Sequence, residues 1–230
     1  MQIIENERRI KISRNVGRIM PWIGLGVLAI GWVLSLRGPE ALPALLLSLP
    51  VGVLISMVGG YFADRFVGPL AHHEALQKAL KGLDQSYASA HYLLPAPHVL
   101  ISPGGCTVVI IKAHAGVVEF DGERWKHRDR GKFFRQLAGQ EGLGNPTMDA
   151  ERQTQRLREW IDEQLPGREI PIQAAILFVH PRVKLNTDDS PVPAFYGSKK
   201  IRAWLRGPGK QTRLKSEDYR ALLEAIESLA

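Results

Sequence analysis

The chain has 230 residues, with 30 lysines and arginines against 23 aspartates and glutamates and a formal net charge of +7. Cys106 is the only cysteine, which excludes an intrachain disulfide and a cysteine-built zinc site. The positive balance suits an anionic partner, lipid headgroup or nucleic acid, and says nothing of the fold.

Residues 1–18 read as a basic leader, with Arg8, Arg9, Lys11, Arg14 and Arg18 against Glu5 and Glu7. Two uncharged apolar runs follow, 19–36 and 41–63, with only Arg37 and Glu40 as charges between them. A helix of about 20 residues crosses a hydrocarbon core of about 30 Å. Residues 19–65 are therefore predicted as two transmembrane helices joined by a short turn. Basic residues flank the pair on its outer sides, so both termini are expected in the cytoplasm, with the turn outside a cytoplasmic (inner) membrane of bacterial type. A cleaved signal peptide is disfavoured, because the first run is long and a second span follows at once. Ser48, Gly52, Ser56 and Gly60 recur every four residues, a stripe suited to close helix–helix association, with Gly24 and Gly31 as opposing positions. Pro50 is expected to kink the second helix. Trp22, Trp32, Tyr61 and Phe62 near the span ends suit the membrane interface.

Residues 66–230 are expected to form one soluble domain. Ala75, Leu76, Leu80 and Leu83 predict a helix over 73–83. Strands are predicted at 88–94, 98–102 and 107–112, the last β-branched and continuous enough to be buried on both faces. Pro103-Gly104-Gly105 is a tight turn between the last two, and Asp121-Gly122 predicts a two-residue hairpin between 117–120 and 124–126. A helix begins near Pro146 and stops at Pro166-Gly167. Strands at 172–179 and 192–196, a short helix holding Ile201, Trp204 and Leu205, and a final helix capped by Ser216 complete the chain. This order gives an α/β (α+β) fold, a transmembrane helical hairpin followed by a mixed β-sheet flanked by helices.

The stretch 94–105, Leu-Pro-Ala-Pro-His-Val-Leu-Ile-Ser-Pro-Gly-Gly, followed by Val108-Val109-Ile110-Ile111-Lys112 and Gly116-Val117-Val118, resembles the nuclease-related domain, or NERD. Gly122 and Trp125, Asn145-Pro146 and residues 196–205 fit its later elements, so the likeness covers about 74–206. The resemblance implies a restriction-endonuclease-like fold of the PD-(D/E)XK type, in which carboxylates hold a metal that activates water against a phosphodiester. This chain departs from the family pattern where that chemistry is made. Pro97 stands at the family's Asp, and Ile110 at the Glu of Glu-x-Lys. Lys112 remains as a vestigial catalytic candidate, Glu74 matches the family's helix Glu, His98 follows the lost Asp, and Asp149 stands where a Gln is common.

The resemblance with these departures implies a retained fold and a degenerate active site, with no metal and no cofactor. Mg2+ enters only in the alternative of an active membrane-bound nuclease with relocated ligands, for which Glu119 and Asp121 are the candidates. His72 and His73 are expected as a wet pair at the membrane exit rather than transition-metal ligands with His91, and Cys106 as a packing residue. Lys199, Lys200, Arg202, Arg206, Lys210 and Arg213 form an acid-free basic run interleaved with Trp204, a candidate anion-binding segment. A second basic run, 126–135, contains Asp129 and is a weaker candidate. The expected function is a membrane-anchored, catalytically inactive module that binds nucleic acid or a protein partner. A structural membrane protein gripping anionic lipid is the third reading.

Overall fold

The computed structural model describes residues 1–129, 131, 139–207 and 213–230. It divides into two compact units: Met1–Glu7 with His72–Asp129 and Leu143–Ala230, and Arg8–Ala71 with Arg130–Gly142.

The second unit is built on two long helices, α1 (Glu7–Ser35) and α2 (Leu42–Phe66), joined through a 3-10 turn at Pro39–Ala41. Both are long and apolar enough to cross a membrane. Small residues let their backbones meet. A side chain placed on Gly24 would lie 2.2 Å from Ser56 Oγ and 2.6 Å from the Gly52 carbonyl, and one on Gly31 would lie 1.8 Å from Ser48 Oγ. Three of the four stripe residues thus face α1 within the same hairpin. The fourth, Gly60, lies against Gly139. Gly17 meets the backbone of Phe62 and Ala63, and Gly59 meets the Pro21 ring. Helix α2 continues through Pro50. Near its end Arg65 pairs with Glu141.

The first unit is organised by a six-stranded mixed sheet in the order β1-β2-β3-β4-β7-β9. Its strands are β1 (Gln2–Glu5), β2 (Ala88–His91), β3 (His98–Ser102), β4 (Gly105–Lys112), β7 (Ile172–Phe178) and β9 (Ala194–Tyr196). Strand β4 lies at the centre, antiparallel to β3 and parallel to β7, and every residue of it is buried, as its unbroken apolar run requires. A second sheet, β6-β5-β8, joins Gly116–Phe120 (β5) to Trp125–Arg128 (β6) and Val183–Asn186 (β8).

Alternation along β4 sends side chains to two cores. Val108, Ile110, Ile176 and Phe178 pack with Leu157 and Ile161 of α4 (Pro146–Gln164) and with Leu222 and Ile226 of α6 (Ser216–Glu227). Val109, Ile111 and Leu177 pack with Leu76 and Leu80 of α3 (His72–Leu80) and with Ile201 and Leu205 of α5 (Ser198–Arg206).

Several expectations need correction. The leader 1–18 is not one segment: residues 2–5 form an edge strand parallel to β2, with Gln2 opposite Ala88, and Glu7 onward is already helix α1. Ile4 is buried in the first core, so backbone pairing and apolar burial together hold this short strand. The β5–β6 turn is four residues, with Phe120 opposite Trp125. The Asp121 carboxylate accepts from the backbone N–H of Glu123 (3.1 Å) and Arg124 (2.8 Å), which stabilises the wider loop. Strand β8 had no sequence counterpart. The N-cap of α6 is Lys215, with Ser216 the first helical residue and no side-chain cap.

Candidate functional site

Lys112 ends β4 and shares the α4-facing side of the sheet with Val108 and Ile110. Helix α4 starts sharply beside it. Asn145 accepts a hydrogen bond from the Met148 N–H at 3.2 Å, and Pro146 fills the first turn, where a missing N–H does no harm. This start places Asp149 one turn in, and Lys112 Nζ donates to its Oδ2 at 2.9 Å. The lysine side chain is 9% exposed and the aspartate 34%, so the pair closes the end of the sheet with one wet edge. Trp125 Nε1 donates to Thr147 Oγ1 at 2.9 Å, tying β6 to the same helix start.

The other expected acids are elsewhere. Glu74 lies on α3, the helix covering the opposite core, with its carboxylate 3.9 Å from His73 Nε2. Glu119 pairs with Arg128 at 3.2 Å. Asp121 pairs with Lys126 at 2.7 Å, and that hydrogen bond, reinforced by the backbone donors, holds its carboxyl well below the usual range. Pro97 directly precedes β3 and Ile110 lies within β4, so neither position at which the resemblance implies an acid offers an oxygen ligand from its side chain. Among the described residues no three histidine, cysteine, aspartate or glutamate side chains are placed to hold a metal ion. The residues around Lys112 do not fit a divalent cation. Among the described residues the carboxylate beside Lys112 is that of Asp149, already engaged by the ammonium, where a hard cation needs several oxygen ligands.

His98 does not join Lys112. Its Nδ1 lies 3.1 Å from Nδ1 of His91, which is fully buried. The rings of His73 and Tyr92 stand 6.5 Å from His91 and 4.8 Å from His98 respectively. The wet pair expected at His72-His73 is corrected by His73, which is only 3% exposed. Burial, with the nearby His73 as a smaller cause, pushes His91 down to about 3, so its ring is neutral. Cys106 is also buried, its thiol pushed up to about 12 by desolvation, and it packs as an apolar residue.

The basic run divides by position. Lys199 and Lys200 are exposed on α5. Arg202 donates to the Lys81 carbonyl, and Arg206 Nη2 donates to the Gly82 carbonyl at 2.6 Å, so both secure the chain just after α3. Lys210 lies outside the described residues, as do 130 and 132–135 of the second basic run. Arg213 is exposed, and the next residue, Leu214, is fixed by its N–H to the Pro103 carbonyl at 2.7 Å.

Asp149→Ala would strand the Lys112 ammonium. The expected loss is about 1–3 kcal/mol, below the figure for a fully buried pair because water reaches Asp149. Adding Lys112→Met is expected to restore most of it. Thermal melts of the four proteins check this, and simple additivity would show that the two groups are not coupled.

Residues 70–179 match the family model of the nuclease-related domain. No curated protein and no solved structure gives a match. The matched span takes in the Lys112 strand, the Trp125 hairpin, α4 and β7. Over residues 70–179, a little under half of its length, this chain is therefore similar to the nuclease-related domain family.

Proposed function

We infer that the protein is a membrane-anchored nuclease-related domain that no longer cuts, and that it serves as a nucleic-acid-binding or interaction module at the cytoplasmic membrane face. The observation carrying this reading is the Lys112–Asp149 pair, with Ile110 and Pro97 where the family motif has acids. With Lys112 engaged by Asp149 and no carboxylate at 97 or 110, this reading has no paired acids to hold the hard cation that activates water in the chemistry the resemblance implies.

The anchor is supported by surface chemistry. Trp22, Leu46 and Leu54 are 73%, 68% and 61% exposed, which water tolerates poorly over so long a hairpin and lipid accepts. Strand β1 precedes the hairpin and α3 follows it, and both belong to one compact unit. This supports a reading with both flanks of the hairpin on one side of the membrane, and the arginines of α1 favour the cytoplasmic side.

The test uses the full chain in detergent, with duplex DNA and Mg2+ or Mn2+. Salt-sensitive binding without cleavage is expected. Metal-dependent cleavage abolished by Lys112→Ala would overturn the reading, and liposome binding with no affinity for DNA would replace it with a lipid-gripping role.

A further inference from the structure

We propose that the cleft between the β3–β4 turn and the end of α5 binds a nucleoside phosphate. This proposal does not rest on the reading of the Lys112 site. Thr107 in the cleft and Lys112 are five residues apart on β4, about 16 Å at the usual rise, at opposite ends of the strand.

The cleft has a volume of about 550 Å³, within the range of small-ligand sites. Two guanidiniums stand at it, Arg206 from α5 and Arg213 from the segment before α6. Arg213 is held in place through its neighbour Leu214, whose N–H reaches the Pro103 carbonyl, yet its own side chain forms no ion pair among the described residues. A forked cation positioned by the backbone and still open to an anion is what a phosphate group requires.

The remaining lining is suited to the rest of a nucleotide. Tyr87 presents a half-buried aromatic ring, a surface on which a base can stack. At depth the Gln173 amide donates to Thr107 Oγ1 at 3.1 Å, and Ser102 Oγ accepts from the Gly104 N–H at 3.2 Å. These side chains are already ordered by their own bonds and offer directional donors and acceptors to sugar hydroxyls or a base edge. Asp84 also lines the cleft, its carboxyl kept below its usual range chiefly by the Ser86 hydroxyl and N–H and to a smaller degree by the charge of Arg206. Among the described lining residues, the two arginines therefore stand with one acid. That balance favours one phosphate group with a neutral polar body over a long polyanion.

The full chain in detergent is titrated calorimetrically with AMP, GMP, CMP and UMP, with adenosine, inorganic phosphate and glycerol 3-phosphate as separate arms. At least one nucleotide is expected to bind at least about tenfold more tightly than adenosine, inorganic phosphate or glycerol phosphate. Arg213→Ala is expected to weaken that nucleotide at least about tenfold, and Tyr87→Leu to reduce its advantage over inorganic phosphate. Unchanged thermal melting checks that both variants fold. No binding by any nucleotide, or binding that Arg213→Ala leaves intact, overturns the proposal. Equal binding of inorganic phosphate overturns its nucleoside part, and tighter binding of glycerol phosphate assigns the cleft to a lipid headgroup instead.

Discussion

Gly24→Leu is expected to break the helical hairpin, lowering its stability by about 3 kcal/mol, whereas Gly26→Leu, two residues away on the same helix, changes nothing measurable. The difference follows from space alone. A Cβ on Gly24 meets Ser56 Oγ at 2.2 Å and the Gly52 carbonyl at 2.6 Å, while one on Gly26 meets nothing within 4 Å. A rotamer change could move the serine hydroxyl, but the carbonyl belongs to the backbone of α2, so relief requires the two helices to part. In lipid no hydrophobic drive between helices opposes that separation, and packing contacts supply most of the association. Heat denaturation in detergent, followed by the yield of monodisperse protein, should separate the two variants clearly. Equal melting of Gly24→Leu and Gly26→Leu would show that the helices do not approach at this point. The substitution also distinguishes roles for the Ser48, Gly52 and Ser56 stripe. Since α1 already covers it, it is unavailable for association with a second protein unless the hairpin opens.

The elements legible in the sequence were those with strong periodicity or strong punctuation. Strand β4 announced itself by Val108, Val109, Ile110 and Ile111, and α4 by Asn145-Pro146 and the spacing of Ala150, Leu157 and Ile161. Gly24 and Gly31 were identifiable as the face opposing α2, because only small residues allow close approach in lipid. What stayed hidden depended on distant partners. Gln2-Ile3-Ile4-Glu5 is too short to signal a strand, and becomes one because β2 offers an unpaired edge more than eighty residues later. Val183–Asn186 alternates weakly and is ordered by β5. At the candidate site, Pro97 and Ile110 were readable as departures from the acids that the resemblance implies. That Asp149, thirty-seven residues on, would occupy the lysine was not, since it depends on where its helix begins. Arg202 and Arg206 likewise read as part of an anion-binding run, and their carbonyl partners after α3 are visible only in three dimensions.

The histidine pair beneath α3 should make the protein acid-labile through a single ring. His91 is held neutral, with its pKa near 3 against an ordinary value near 6.5, because burial disfavours the imidazolium and His73 adds to the penalty. The unfolded chain therefore binds a proton that the folded chain refuses at every pH between those two values. His91 contributes its full stability above pH 6.5 and loses it progressively as the pH falls toward 3, at about 1.4 kcal/mol per unit. Between pH 6.5 and 4.5 this one group should remove about 2–3 kcal/mol. The geometry agrees with the sign. His91 Nδ1 and His98 Nδ1 are 3.1 Å apart, so one must donate while the other accepts, and protonating both would set two N–H groups face to face. His73 and His98 stand 6.5 and 5.3 Å from the ring and Tyr92 packs on both of them; of the acids, Glu74 lies 3.9 Å from His73, and Glu5, opposite His91 in the β1–β2 register, accepts from Gln77. None of the three ring neighbours brings a negative charge at neutral pH to welcome a buried proton. Denaturant melts of the wild type and His91→Asn at half-unit steps from pH 7 to 4.5 measure the effect as a slope, which separates it from any constant loss of packing. The wild type should fall more steeply than the variant by about 1 kcal/mol per unit below pH 6.5. Parallel slopes would mean that His91 accepts its proton in the folded state, and that the pair beneath α3 opens to water without unfolding the sheet.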